Sequence, residues 1–293
     1  MREKNLPIDR FEADRPHLQA VAYRMLGSLS EADDALQEAW LRAARADISG
    51  VENLTGWLTT VVGRVCLNML RTRARRREEP IDGHGRDPLL PADGADPEQE
   101  AELADSLGVA MLVVLDRLSP AERLAFVLHD MFAVPFEEIA LMLERSPAAT
   151  RQLASRARRR VKGGSPAPAA DTARHREVVD AFLAATRGGH FQALVALLHP
   201  DVVLHADQAA TLTSEPIVVR GAQAVAKGAM AATGRARFTG PALIDGTLGL
   251  AMAPHGRLSV VLAFTIAHGK ITGIDVIGDP DRLAGLDLAV LDG

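Results

Sequence analysis

Apolar residues recur at helical spacing through the first half of the chain and give way to alternating, strand-like runs in its last third. Between Phe11 and Arg77 the pattern predicts helices only. Leu18, Val21, Ala22, Met25 and Leu26 form one stripe, which Gly27-Ser28 interrupts. Ser30 is expected to cap the next helix, with Asp33 at the capping-box position. That helix puts Ala32, Ala35, Leu36, Ala39 and Trp40 on one side and Asp33, Asp34, Gln37, Glu38 and Arg42 on the other. An exposed polar strip beside Trp40 suits a protein interface; a solvated helix face is the plainer alternative. In a third helix Leu54, Trp57, Leu58, Val61, Val62, Val65, Leu67 and Leu70 supply the apolar positions. Its end carries Arg64, Arg71, Arg73, Arg75, Arg76 and Arg77.

Residues 78–102 lose every period, are rich in Pro, Gly and Asp, and read as an acidic linker with Leu89-Leu90-Pro91 as its one apolar spot. A helical pattern resumes at Leu103. From Leu118 to Lys162 it is punctuated three times. Ser119-Pro120 with Glu122 is a capping box with Pro at the first helical position. Pro135 starts a short helix with Phe136, Ile139, Ala140 and Leu143 on one face. Glu144-Arg145 form a turn, and Ser146-Pro147 caps a last helix. There Leu153, Ala157 and Val161 face inward, while Ala148, Arg151, Gln152, Ser155, Arg156 and Arg159 are left outward. Two short helices joined by a tight turn, the second presenting Arg, Gln and Ser, form the helix-turn-helix plan, whose second helix enters the DNA major groove. Arg and Gln make bidentate base-edge contacts there, and the Arg158–Lys162 cluster suits phosphates. The Arg71–Arg77 end, preceded by Asn68, is a second candidate DNA surface, since guanidinium binds phosphates and bases bidentately.

After a small-residue linker at 163–170 the pattern changes class. Helices are expected over 175–186, 191–198 and 222–232. Strands are expected over 202–206, 217–220, 235–244, 247–252, 258–268 and 270–277. Asp245-Gly246, His255-Gly256 and His268-Gly269 supply the hairpin turns. Helices followed by a curved antiparallel meander give an α+β cone with a pocket at its mouth. A carboxylate facing such a pocket would be the sign of isomerase or cyclase chemistry. The candidates are His205, Asp207, Asp245 and Asp275, and the chain's one tyrosine, Tyr23, lies outside this region.

The chain has 293 residues, enough for two or three domains, and 47% apolar residues, enough for real cores. Its net charge of −5 does not advertise a nucleic-acid binder; the basic residues are clustered, however, and local potential governs DNA binding. A single cysteine, Cys66, excludes an internal disulfide and fits a reducing cytoplasm. The charged N-terminus does not read as a signal peptide, and no apolar run reaches membrane-spanning length. Nine histidines lack metal-ligand spacing, so neither metal nor cofactor is expected.

The Asp33–Arg42 helix, the Trp57–Arg77 block and the Leu118–Val161 block together resemble regions two and four of a bacterial sigma factor of the extracytoplasmic-function class. The resemblance implies that Asp33, Asp34, Gln37, Glu38 and Trp40 dock on the clamp helices of core RNA polymerase, with a further contact to the flap. It implies that the Trp57–Arg77 segment melts and reads the −10 element and that the 147–160 helix reads the −35 element. The last region resembles the SnoaL-like cone fold, which hosts enzymes and non-enzymes alike. Sigma factors with such a tail use it for regulation in cis. Of their tail motifs, Asp279-Pro280-Asp281-Arg282-Leu283 fits an NPDKL-like segment. Asp207-Gln208-Ala209-Ala210 stands where an aspartate-glycine-rich loop is usual, and Pro88-Leu89-Leu90-Pro91 where a WLPEP-like linker is usual. The expected organisation is region two at 8–77, linker at 78–102, region four at 103–162, linker at 163–170 and tail at 171–293. No catalytic residue is assigned, and the tail pocket leaves room for a small ligand. Two readings from other classes stay open: a ligand-sensing one-component helix-turn-helix repressor, and a tail with isomerase or cyclase activity.

Overall fold

A computed structural model describes residues 8–78, 108–163, 169–211 and 215–291. The Pro88–Pro91 segment and most of both expected linkers lie outside the described residues. The chain forms two compact units, the first from 8–78 with 115–159 and the second from 108–114 with 160–291.

The first unit is helical. Helix α1 (Ile8–Leu26) ends at Gly27, whose φ of +79° turns the chain straight into α2 (Leu29–Ala43). The cap is Ser28, not Ser30: Ser28 has extended backbone and its side chain accepts from the Glu31 amide. With glycine doing the turning, no spacer residue is needed, and Ser30 falls inside the helix. Helix α3 (Leu54–Glu78) completes a mutually packed trio. Helix α4 (Val109–Asp116), which belongs to the second unit as far as Val114, leads to α5 (Pro120–Phe126), where Ser119 and Glu122 form the expected capping box. A π-helical turn (Val127–Met131) follows, then α6 (Phe136–Leu143) and α7 (Pro147–Lys162). Between the last two, Glu144 takes the left-handed conformation (φ +56°) that closes a tight turn. A Cβ added at Gly63 on α3 would sit 3.1 Å from Leu128 Cδ1, so the helices meet here at close range.

The second unit is α+β, as expected. Helices α8 (Ala169–Arg187) and α9 (Phe191–Leu197) precede β1 (Leu198–Ala206) and β2 (Ile217–Arg220). Helices α10 (Ala222–Ala231) and α11 (Thr233–Ala236) lead to β3 (Thr239–Ile244), β4 (Thr247–Met252), β5 (Val260–Ala267) and β6 (Lys270–Ile277). Helix α12 (Pro280–Gly285) and β7 (Leu288–Ala289) end the unit. The sheet order is β2-β1-β6-β5-β4-β3-β7. Strands β3 to β6 are the expected meander; Asp245-Gly246 and His268-Gly269 carry the paired positive φ of type I′ turns.

The sequence pattern left the pairing of β1 open; it pairs with β6 in parallel. The connection between them runs through β2, α10, α11 and the meander, long enough for a crossover. Residues 235–238 are not strand. The Arg187 guanidinium donates to the carbonyls of Ala236 (3.1 Å) and Thr239 (2.8 Å), and the Thr239 hydroxyl to that of Arg235 (3.2 Å), which favours a helical turn there.

Strand alternation gives the sheet two apolar faces. Leu204, Leu248, Leu250, Leu262, Ile274 and Val276 face α8, α9 and α10. Ala242, Ala251, Val261 and Ile277 face the other way, where Val109, Ala110 and Val113 of α4 pack with Leu283 and Leu288. Gly240 allows that approach: a Cβ there would lie 2.9 Å from Val109 Cβ.

Candidate functional site

Three helix faces and a junction of two tail segments carry most of the residues singled out from the sequence. On α7 the Ser146 hydroxyl accepts from the Ala149 amide at 3.2 Å, which starts the helix. Thr150, Leu153, Ala154 and Ala157 are buried; Ala148, Arg151, Gln152, Ser155, Arg156 and Arg159 are exposed. Arg151 pairs with Glu137 at 2.9 Å and lies over the Phe136 ring. Arg156 reaches Glu122 at 3.4 Å, and Arg158 pairs with Asp130. Gln152, Ser155 and Arg159 have no side-chain partner among the described residues, so they form the open centre of this face.

At the end of α3, Asn68, Arg71 and Arg75 are exposed. Arg73 turns back to pair with Glu31 and is 16% exposed, so its charge is already spent inside the unit. Arg76 and Arg77 continue the helix, but their side chains lie outside the described residues. On α2, Asp33, Asp34, Gln37 and Glu38 are exposed and Trp40 is half-buried, its ring 5.3 Å from that of Phe11. Asp33 accepts from Gln19 at 3.0 Å and Glu38 from Arg42 at 2.8 Å. Beside them Phe11, Arg15, Leu36 and Trp40 line a cleft of about 350 Å³.

In the tail, the two motif segments meet. The Asp207 carboxylate accepts from the amides of Ala210 and Gly278 at 3.0 Å, of Asp279 at 3.1 Å, and from the Arg282 guanidinium at 3.3 Å. Partial burial works to raise its pKa. The amides of Gly278, Asp279 and Ala210, with Arg282, more than offset this and hold it below the usual carboxylate range. Asp279 in turn caps α12 through the Arg282 amide at 2.9 Å, Pro280 takes the first helical position beside Asp281, and Leu283 is buried. A Cβ at Gly278 would come within 2.8 Å of the Ala209–Ala210 backbone, so the two segments touch main chain to main chain.

The cone holds a partly open apolar cavity of about 260 Å³. None of His205, Asp207, Asp245 and Asp275 lines it. His205 and Asp275 are register partners on the opposite face of β1 and β6, and Asp245 sits in its turn. Among the described residues no group of acids, histidines or cysteines could hold a metal ion. No described helix is long and apolar enough to cross a membrane.

Sequence reasoning missed Arg123, which is 3% exposed. It donates to the carbonyls of Leu115 (2.5 Å) and Met25 (2.9 Å) and to Asp116 (3.2 Å), tying the end of α1 to the start of α5. The available signal was a lone cation at the head of the apolar run Leu124–Leu128. Arg187, Arg235 and the π-helical turn were missed too, and no local pattern announces them.

The Sigma-70 region 2 family matches residues 10–76 and the Sigma-70 region 4 family residues 108–161. The chain is 38% identical to the ECF RNA polymerase sigma factor SigJ of Mycobacterium tuberculosis, over 97% of this chain and 95% of that one. It is 33% identical to a probable ECF sigma factor, SigI, of the same species, over 93% of each. The crystal structure of M. tuberculosis SigJ aligns over 95% of this chain and 99% of that one, at 35% identity and a TM-score of 0.44. Identity sustained over nearly the whole of both chains, with both sigma regions in order, makes this chain a member of the extracytoplasmic-function RNA polymerase sigma factors.

Proposed function

We propose that this sigma factor uses its three surfaces as follows. Residues 8–77 form region two: Asp33, Asp34, Gln37, Glu38 and Trp40 dock on the clamp helices of core RNA polymerase. Asn68, Arg71 and Arg75, continued by Arg76 and Arg77, meet the −10 element. Residues 103–162 form region four, which also meets the polymerase flap, with Gln152, Ser155 and Arg159 central on the −35 element and Ala148, Arg151 and Arg156 around them. Arg73 serves this reading by holding α3 to α2. The observation that carries it is the pairing of two separate exposed basic helix faces with two sigma regions in their proper order. A one-component repressor would need one such face and a dimer.

The tail, residues 171–293, acts as a regulator in cis, and the polymerase places the chain in the cytoplasm. The support is that the tail sheet packs on Val109, Ala110 and Val113, at the start of the region four match. The Asp207–Asp279–Arg282 lock, with Pro280, Asp281 and Leu283, fixes the end of the same sheet. A tail isomerase is disfavoured because none of the four candidate groups lines the cavity. Footprinting of the polymerase complex tests the assignment. Gln152→Ala should weaken protection upstream while leaving the −10 region protected. Asp34→Lys should lose the complex altogether. Protection unchanged in both variants would overturn it.

A further inference from the structure

The tail cavity is apolar with few exceptions. Its walls are Phe182, Leu204, Val225, Leu250, Leu262 and Ile274 and their apolar neighbours. The exceptions are Thr186, Thr239 and Arg235. Both hydroxyl protons are committed, Thr186 to the Phe182 carbonyl at 2.8 Å and Thr239 to the Arg235 carbonyl at 3.2 Å. The Arg235 guanidinium, by contrast, has no partner among the described residues, although it is only partly exposed. No acid lines the cavity beside it. The nearest tail carboxylate in sequence to the lining residues Ala206 and Ala210 is Asp207, and its oxygens are taken by Ala210, Gly278, Asp279 and Arg282.

An apolar recess of this size leaves its lining short of dispersion contacts. The sequence nonetheless keeps it open on one side. Helix α10 presents Ala224, Val225, Gly228 and Ala229 to it, and a Cβ at Gly228 would meet nothing within 4 Å. Glycine inside a helix costs stability relative to alanine, and at Gly228 no steric demand accounts for it.

We propose that the cavity binds a small amphipathic acid, with an apolar body of about a dozen non-hydrogen atoms at interior packing density and one anionic head held by Arg235. The apolar walls exclude a polyol or nucleotide, which would bury unpaired polar groups. The unpaired guanidinium selects an anion over a neutral or cationic head, since a charge-assisted bidentate contact is stronger than a neutral one. Ligands of this class bind the full chain without polymerase or DNA, so the proposal stands or falls separately from the transcriptional assignment.

The test is calorimetry and thermal melting of the full chain with decanoate, decanol and decyltrimethylammonium as probes. Decanoate should bind and raise the melting temperature, at least about tenfold more tightly than decanol, and the ammonium should not bind. Arg235→Gln should bring decanoate down to the level of decanol. Gly228→Leu should abolish decanoate binding while melting no lower than the unmodified chain, because leucine is a better helix former and fills open space. No binding of decanoate at millimolar concentration would overturn the proposal. So would equal binding of acid and alcohol, or full binding by Gly228→Leu, which would put the acid elsewhere.

Discussion

Arg123 shows how one residue can hold a unit together from a buried position. Its guanidinium is buried, and burial of a charge is tolerated only because two carbonyls and Asp116 surround it. Arg123→Met keeps the aliphatic stem but leaves Asp116 and two carbonyls without their donor. Urea unfolding followed by circular dichroism should show a loss of about 3 kcal/mol, and an unchanged midpoint would contradict the role given to Arg123. Asp207 makes the opposite use of charge. Its pKa is depressed in the folded chain, so its contribution is fully present above the unfolded value of about 3.9 and is lost as pH falls through the folded value. Asp207→Asn should therefore melt below the parent at pH 7, and the gap should close on acidification towards pH 3. A constant gap would mean that the carboxylate's charge is irrelevant. Cys66 is fully buried in the first unit, and desolvation pushes its thiol well above the usual range. It should resist thiol reagents in the native chain and react at the rate of unfolding; prompt labelling would contradict that burial.

At the scale of elements, what the sequence made legible was whatever local chemistry decides. The Ser119–Glu122 capping box, the helix starts at Pro135 and Pro147, and the Asp245-Gly246 and His268-Gly269 turns each rest on residues adjacent in the chain. The outward face of α7 was readable for the same reason, since burial of Leu153 and Ala157 fixes which side Gln152 and Arg159 occupy. What escaped was set by distant partners. Arg187, about fifty residues away, turns 235–238 into a helical turn rather than a strand. The parallel pairing of β1 with β6 depends on a crossover that no hairpin signal encodes. Glu31 claims Arg73, which looked equivalent to Arg71 and Arg75 on composition alone. These differences matter for mutation. Arg159→Ala and Gln152→Ala should each cost about 1–3 kcal/mol in recognition of a matched upstream element if they touch base edges. Arg73→Ala should chiefly lower stability. Binding titrations of the polymerase complex on matched and scrambled elements separate these outcomes, and equal losses on both elements would assign Gln152 and Arg159 to phosphates instead.

For the whole molecule, the two units divide the work between a helical part with two exposed basic faces and a tail whose sheet is apolar on both sides. One face of that sheet lines the cavity, and the other packs on the start of the region four match. A modest net charge of −5 fits this division, because the basic residues needed for DNA are concentrated at helix faces while acidic ones are spread elsewhere. Weak DNA binding by the free chain is the corresponding expectation, with affinity and specificity gained only alongside polymerase. The most direct measurement is transcription in vitro with core RNA polymerase, the full chain and a library of promoter templates. The account predicts transcripts that start at defined sites, require the added chain, and weaken when Gln152 is replaced by alanine. No initiation from any template, together with dimeric binding of the chain alone to duplex DNA with regular half-site spacing, would contradict it.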